Sequence, residues 1–282
     1  YPMTRNSISL VCAGLGGSQT YQGVAYLNGG FDPDGGTPQP EKKTIEVYNW
    51  STASSVYSKT WDEYVNNVDL AAGTLAGITS IGYPARSYNG SSGNPAQIIE
   101  PGETVEEVSC SNIDVLPTNR LIHGVFADWT AVTGADTYVI PSERQCLAWD
   151  KLGQRISGFP TNEFSGASLG SLITPAALGD LNGDGEADVL FSTELSGDNN
   201  LLAYDSDGDP LNVNLIFPYI LPEGVSALGG FAIADIDRDG KVEIVFGTSE
   251  GRLHCWELGT CPTGYAPWTQ FQHDAGRTGV LE

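Results

Sequence analysis

The sequence predicts an all-β protein, and three observations support this prediction. Glycine and proline are frequent, with 35 and 16 residues in a chain of 282. Short runs rich in β-branched and aromatic residues, such as 242–248, alternate with clusters of Ser, Thr, Asn, Asp and Gly, which is the pattern of strands joined by turns. One unit of this kind also recurs along the chain, as in arrays of small sheets.

The composition is strongly acidic. Asp and Glu number 35 against 13 for Lys and Arg, so the formal charge is −22 and the pI is near 4.2. Nucleic acids and anionic membrane surfaces are therefore not expected as partners, because both are bound through a basic face. Divalent cations are the natural counter-charge. No apolar run reaches the length of about 18 residues that a membrane span requires.

The first half of the chain divides into two parts. Residues 1–61 are predicted to form an N-terminal β unit, because the stretches 9–17, 23–30 and 44–50 have the rhythm of strands. Residues 62–118 contain no convincing copy of the unit, so we interpret them as an irregular insert or a degenerate copy. A short helix is predicted there over 61–77.

Residues 119–282 form the repeat region. The stretch 180–205 aligns with 235–258, so that "ADVLFST" falls on "VEIVFGT" and "NLLAYD" on "RLHCWE", at a period of about 55 residues. A weaker third copy covers 124–160, where Asp128 takes the place of the first aspartate and the other acidic positions are missing. One such unit cannot bury its apolar face alone, and stacking on neighbours solves this.

Radial stacking of such units gives a β-propeller. The length accommodates about five blades, with 1–61 as the first blade-like unit and the three segments in one continuous domain. Four blades with an inserted irregular segment fit equally well. A β-sandwich with an added β-domain is the structural alternative.

Two copies contain an acidic loop with the spacing D-x-[DN]-x-D-G-x-x-[DE]. We call residues 180–188 loop A and residues 235–243 loop B. Side chains at alternate positions of a curled loop converge, and the glycine at position six permits the sharp turn. Calcium takes six to eight oxygen ligands with loose geometry, so these loops predict two calcium sites. An EF-hand is excluded because Phe191 and Phe246 occupy its glutamate position and the flanks are β-type.

The stretches "ALGDLNGDGEADVLFST" and "AIADIDRDGKVEIVFGT" resemble FG-GAP repeats, also called VCBS-type repeats, of integrin-like calcium-binding β-propellers. The tail "APWTQFQHDAGRTG" resembles a segment that often accompanies such repeats. The resemblance implies a propeller, calcium in the loops and a secreted or cell-surface setting. Carried over to this chain, the metal positions are Asp180, Asn182, Asp184, Glu186 (by its carbonyl) and Asp188, then Asp235, Asp237, Asp239, Lys241 (by its carbonyl) and Glu243.

The five cysteines match no zinc or haem spacing. In an extracellular protein Cys255 and Cys261 would be able to close a small loop, and the odd number leaves one thiol free or paired between chains. The connectivity stays open at this point.

Two further motifs are interpreted as turns. "GTSEG" at 247–251 matches the nucleophile elbow G-x-S-x-G, but that elbow needs a strand, a turn and a helix, whereas Ser249 lies between two β-type runs. "DSDGDP" at 205–210 stands where "DKLGQR" stands in the third copy, so we predict a hairpin turn.

The sequence therefore favours a non-catalytic module. We expect a secreted or cell-surface, calcium-stabilised propeller that binds an extracellular protein or a glycan, as in adhesion. One alternative is a structural subunit that self-associates into an extracellular filament or surface assembly. A second alternative is a polysaccharide lyase or hydrolase, since paired carboxylates are abundant.

Overall fold

The structure is a computed structural model. It describes residues 8–14, 20–30, 39–49, 51–61, 70–75, 78–84, 96–100, 106–110, 124–127, 137–141, 146–159, 174–195, 198–211, 217 and 219–258.

The described residues form five small sheets of antiparallel strands. The first contains β1 (Ile8–Gly14), β2 (Thr20–Gly30), β3 (Gln39–Asn49) and β4 (Ser54–Trp61). The second contains β5 (Ala71–Leu75), β6 (Ile78–Pro84), β7 (Ala96–Glu100) and β8 (Glu106–Ser109). The third contains β9 (Val125–Ala127), β10 (Thr137–Pro141) and β11 (Cys146–Asp150). The fourth contains β12 (Ala177–Gly179), β13 (Asp188–Leu195), β14 (Asp198–Tyr204) and β15 (Tyr219–Ile220), and the fifth contains β16 (Ala227–Ala234), β17 (Val242–Thr248) and β18 (Leu253–Leu258).

Each sheet is a simple meander in which every strand pairs with the next one in the chain. The first strands of neighbouring sheets lie side by side, because β1 contacts β5, β5 contacts β9 and β12 contacts β16. Consecutive meanders that meet through their first strands form a β-propeller. The predicted all-β propeller is thus confirmed. None of the described residues forms a helix that could cross a membrane.

The fourth sheet lies at the centre of the packing. Side chains alternate between the two faces of a strand, and on β13 Val189 and Phe191 join a core cluster shared with the second and third sheets. Leu190, between them, joins a second cluster shared with the fifth sheet. The continuous apolar run of β13 is therefore explained by burial on both faces.

The fifth sheet is covered differently. Ile244 and Phe246 belong to the cluster shared with the fourth sheet. Other apolar side chains of this sheet are exposed, with Leu253 at 77% and Leu228 at 50% of their surface. Cys255, between Leu253 and the end of β18, is also exposed.

The third and fourth sheets touch backbone to backbone through two turns. Gly158 (φ 83°) follows the end of the third sheet and Gly208 (φ 79°) lies in the turn after β14. A Cβ atom at Gly158 would fall on the carbonyl oxygen of Asp207, and one at Gly208 would collide with the carbonyl of Gly158. Only glycine fits at these positions, because both φ and the space exclude a side chain.

The segment 62–118 contains the second sheet. The helix predicted over 61–77 is wrong for residues 71–75, which form β5. Gly73 and the β-branched Thr74 disfavour a helix, and pairing with β6 satisfies the backbone instead. This sheet packs on the third through Tyr138, whose ring fills the space beside Gly82 and would overlap a Cβ atom there.

Candidate metal centre

Loop A joins β12 to β13, and loop B joins β16 to β17. In both loops the aspartate at position one collects backbone N–H groups. In loop A the two oxygens of Asp180 accept from Gly183 N (2.6 Å) and Gly185 N (3.0 Å). In loop B the two oxygens of Asp235 accept from Asp239 N (3.1 Å) and Gly240 N (3.2 Å). Each loop is thereby curled around its first carboxylate.

The glycine at position six takes the conformation that the spacing predicts. Gly185 has φ 91° and Gly240 has φ 93°, and this left-handed region is open to glycine at little cost.

The side chains at positions three and five also accept from the chain two residues on. In loop A, Asn182 Oδ1 accepts from Asp184 N and Asp184 Oδ1 from Glu186 N, each at 2.8 Å. In loop B, Asp237 Oδ1 accepts from Asp239 N at 3.1 Å, and Asp239 Oδ1 accepts from Lys241 N at 2.9 Å. The two loops therefore share their hydrogen bonds at positions three and five, as expected for two copies of one unit.

The carboxylate at position nine is buried in both loops. Asp188 is 1% exposed and Glu243 is 5% exposed. One oxygen of each accepts a backbone N–H across the loop at 2.6 Å, from Leu181 to Asp188 Oδ2 and from Ile236 to Glu243 Oε2. The second oxygen, Asp188 Oδ1 or Glu243 Oε1, is buried without a hydrogen-bond partner.

An unpaired, buried carboxylate oxygen is strongly unfavourable unless a proton or a cation compensates it. In each loop this oxygen lies in the residue at the predicted ninth ligand position. The donor set consists of carboxylate and amide oxygens, which suit calcium. The residues of both loops therefore fit a calcium ion.

The pKa of Asp188 in loop A also favours a bound cation. Burial raises the pKa of the Asp188 carboxyl from 3.8 to about 8. The hydrogen bond from Leu181 opposes this shift, and the charges of Asp184, Asp180 and Asp205 reinforce it. A cation bound in the loop would reverse the penalty and hold the carboxylate ionised.

The geometry of loop B brings three ligand candidates together. Oxygens of Asp235, Asp237 and Asp239 all lie within 4.8 Å of one another. The same distance joins Asp239 and Glu243 to Glu257, which lies on β18 outside the loop. In loop A the position-three ligand candidate is an amide, Asn182, and among the described residues no comparable carboxylate trio occurs there.

The side chains at position seven differ between the loops. Ser206, in the turn after β14, donates a hydrogen bond to Glu186 Oε2. In loop B, Lys241 Nζ lies 2.6 Å from Glu257 Oε1 and 3.2 Å from Asp239 Oδ2. Hydrogen bonds to Glu257 and then Asp239 raise the pKa of Lys241, and hydrogen bonds from the backbone and side chain of Lys241 lower the pKa of Asp239.

Sequence reasoning missed Glu257 as a member of this cluster. Glu257 is the cross-strand partner of Glu243 in the β17–β18 ladder. The signal was present, because a residue directly opposite a ligand on a paired strand shares its face. Reading the hairpin register from the repeat would have found it.

Both motifs interpreted as turns are turns in the structure. Ser249 lies in the β17–β18 hairpin, where its N–H donates to Ser226 O (2.9 Å), and Ser226 N donates to Ser249 Oγ (3.0 Å). A strand follows, so the geometry is not that of a nucleophile elbow. In the other motif, Asp205 Oδ1 accepts from Asp207 N and Asp209 N.

The turn at 150–154 confirms the alignment with the third copy. There Asp150 Oδ1 accepts from Leu152 N and Gln154 N, each at 2.8 Å, in the same scheme as Asp205.

Three predicted features lie partly or wholly outside the described residues: the pairing of Cys255, the loop of the third copy and the tail motif. Cys255 is an exposed free thiol, and its suggested partner Cys261 lies outside the described residues. The segment of the third copy that aligns with the acidic loops, 128–136, and the tail motif at 266–279 also lie outside the described residues.

Comparison with known proteins identifies the repeat. The family described as FG-GAP-like repeat matches residues 180–246, a range that contains both loops. No curated protein matches the chain significantly.

Among solved structures, a protein from Lactobacillus plantarum is 13% identical, covers 90% of this chain and 83% of its own, and has a TM-score of 0.37. TolB from Acinetobacter baumannii is 16% identical, with coverage of 86% and 53% and a TM-score of 0.32. A structure from a study of two prolyl endopeptidases is 11% identical, with coverage of 89% and 38% and a TM-score of 0.37. The chain thus spans 53% and 38% of the lengths of the last two. By its sequence match, the chain carries an FG-GAP-like repeat over residues 180–246, as the resemblance predicts.

Proposed function

We propose that loops A and B each bind one structural calcium ion in a secreted or cell-surface propeller that acts as a non-catalytic binding module for protein or glycan. One observation carries the calcium assignment. The buried carboxylate at position nine of each loop, Asp188 or Glu243, keeps one oxygen without a partner. An acidic turn without a metal gives no reason for the same unpaired oxygen to occur twice at the same place in the repeat.

Each loop offers oxygens from five residues for the ion. In loop A, side chains at positions one, three, five and nine would act as ligands, together with the carbonyl of Glu186. In loop B the carbonyl of Lys241 would take the equivalent place. Calcium would neutralise the clustered carboxylates and tie the end of one strand to the start of the next, β12 to β13 and β16 to β17.

The expected role of the ion is stabilisation. A ligand that binds only the native state stabilises it by mass action, by about 2.7 kcal/mol per site when its free concentration is a hundredfold above Kd. Calcium concentrations outside cells would then keep both loops formed, which supports a secreted or surface setting for this acidic chain.

The choice of a binding role over an enzymatic one depends on what the described acidic groups and Ser249 already do in the structure. The described three-carboxylate groups, Asp235–Asp237–Asp239 and Asp239–Glu243–Glu257, lie in or beside loop B. The serine of the G-x-S-x-G stretch serves a hairpin. We therefore place the function in surface recognition rather than in turnover.

A structural subunit is the second candidate, and one observation favours it. On β18, the last described strand of the fifth sheet, Leu253 is 77% exposed and the thiol of Cys255 is exposed as well. Leu228, on β16, is 50% exposed. Exposed apolar side chains on an edge strand are a template for association. Light scattering decides, because a strict monomer at high concentration contradicts this candidate.

The experiment that tests the main proposal combines metal counting with melting. Native mass spectrometry of the full chain should find two calcium ions, and a thermal melt in excess calcium should exceed that in chelator by a wide margin. A chain that holds no calcium and melts equally in both buffers contradicts the metal assignment. Glycan arrays and pull-downs with surface proteins, each run with calcium and with chelator, then test the binding role, and glycan turnover would overturn its non-catalytic character.

A further inference from the structure

The hairpin formed by β17 and β18 places two glutamates face to face. Glu243 and Glu257 are cross-strand partners in the antiparallel ladder. Like charges in this position destabilise a sheet. Glu243 is 5% exposed and its Oε1 atom has no hydrogen-bond partner, so water does not relieve the repulsion on its side. A proton or a nearby positive charge is required at this pair.

Asp239 adds a third carboxylate to the pair. Oxygens of Asp239, Glu243 and Glu257 lie within 4.8 Å of one another, which is a spacing that one cation can bridge. Asp239 and Glu243 are also predicted ligands of loop B, so this cluster adjoins the calcium position and shares two residues with it.

Lys241 supplies the positive charge. Its Nζ atom lies 2.6 Å from Glu257 Oε1 and 3.2 Å from Asp239 Oδ2. The ammonium thus pairs with two members of the cluster, while Glu243 Oε1 stays unpaired. An isolated ion pair between half-exposed side chains would contribute little. Here the pair closes a cluster that contains a buried carboxylate, and this distinguishes it from an ordinary surface ion pair.

We propose that Asp239, Glu243 and Glu257 form a second cation position beside loop B, and that the ammonium of Lys241 occupies it as a tethered cation in place of a second calcium ion. The proposal rests on the calcium site proposed for loop B in so far as Asp239 and Glu243 are shared. Glu257, which lies outside the nine-residue loop, is thereby assigned to the metal centre. Loop B becomes a two-cation cluster in which one cation is part of the chain.

Loop A provides the contrast within the same molecule. Its position-seven residue is Glu186, which accepts a hydrogen bond from Ser206 and brings no positive charge. A tethered cation is therefore a property of loop B alone among the two described loops.

Replacement of Lys241 tests the proposal. In Lys241→Gln the cluster loses its ammonium, and a calcium ion would satisfy all three carboxylates, including the buried oxygen of Glu243. Native mass spectrometry of the full chain in a calcium titration should show one more bound ion than in the wild type. The double variant Lys241→Gln/Glu257→Gln should lose this extra ion again. Lys241→Arg keeps a cation and should match the wild type.

A matched control comes from loop A. Glu186→Gln changes the side chain at the same position and leaves the carbonyl in place, so the count should not change. A thermal melt of every variant shows whether it is folded. An unchanged count in Lys241→Gln, or an extra ion that survives the Glu257→Gln change, overturns the proposal.

The readout separates this proposal from the function proposed above. Two ions in the wild type and two in Lys241→Gln would refute the tethered cation and leave the calcium loops intact. No ion in the wild type would refute the calcium loops, and the gain of one ion on replacing Lys241 would still support the second position.

Discussion

Loops A and B share their spacing and their hydrogen bonds but differ in how their charge is balanced. In both, the Oδ2 atom of the aspartate at position five accepts from a donor inside the loop. In loop A this donor is a neutral amide, Asn182 Nδ2, at 2.8 Å from Asp184. In loop B it is the ammonium of Lys241, at 3.2 Å from Asp239.

The two loops also differ in how deeply the carboxylate at position one is buried. At position one, Asp180 is 3% exposed, whereas Asp235 is only half-buried. At position five both aspartates are exposed, and at position nine both carboxylates are buried. Loop A thus holds more desolvated negative charge and has no positive side chain to compensate it. The two copies thus keep the same loop backbone but differ in the group that is expected to neutralise their carboxylates. In loop A this is a metal ion alone, and in loop B it is a metal ion together with the ammonium of Lys241. We expect loop A to depend on calcium more than loop B.

Removal of calcium should have the largest effect. Loss of two sites at a hundredfold excess over Kd corresponds to about 5 kcal/mol of stability. Hydrogen exchange in chelator should accelerate more at the amides of Gly183 and Gly185 than at those of Asp239 and Gly240, because Lys241 still neutralises part of loop B. Equal acceleration in both loops would contradict the expectation that loop A depends on calcium more than loop B.

The substitution Asp188→Asn should lower the stability of the fold in calcium and raise it in chelator. In calcium it loses a ligand of loop A, and we expect a loss of about 2 to 3 kcal/mol. In chelator it removes the cost of protonating a buried carboxyl and keeps an acceptor for the N–H of Leu181, so stability should rise by about 1 kcal/mol. Denaturant melts in the two buffers measure both values. A loss of the same size in both buffers would mean that Asp188 serves packing alone.

The pair Asp184→Ala and Asp237→Ala compares one alternate-position ligand from each loop. Each should lower the melting temperature in calcium, by about 1 to 2 kcal/mol in stability, and each should shrink the stabilisation that calcium gives. Asp128→Ala is the control, because the third copy lacks the other ligands and its calcium response should equal that of the wild type. Unchanged melting curves for both loop variants would contradict the ligand assignment.

The pH dependence should be the most gradual of these effects. The pKa of Asp188 is raised to about 8 in the metal-free fold, from an ordinary value of 3.8. The native state therefore holds a proton that the unfolded state has lost, and metal-free stability falls as pH rises through this window, by up to about 1.4 kcal/mol per unit. Calcium must displace this proton, so its affinity for loop A should rise up to about tenfold per unit between pH 6 and 8.

Calorimetric titration at three pH values measures this slope, and Asp188→Asn should reduce it. A slope that is the same in the variant and in the wild type would assign the proton to another group.

The sequence predicted the repeat region well because its signals are local. Alternate acidic positions, a glycine at position six and the β-type flanks determine each loop within nine residues. The turn at 205–210 followed from its alignment with 150–155.

The strand β5 and the role of Glu257 were not predicted, for two different physical reasons. The strand β5 contains Ala, Gly, Thr and Leu in a pattern that does not distinguish strand from helix, and its pairing with β6 decides the outcome. Glu257 contributes to loop B only through the register of a hairpin. Non-local pairing of this kind leaves a weak trace in the local pattern of residue types.

The contact of Gly158 with Gly208 limits how far the units of this chain are interchangeable. At each glycine the backbone of the neighbouring unit fills the space that a Cβ atom would need, so each of the two turns requires glycine in the other. A designer who recombines the third or fourth unit with one from another array has to transfer both glycines together. Recombination between arrays in nature faces the same restriction, and it should preserve the third and fourth units as a linked couple rather than as separate modules.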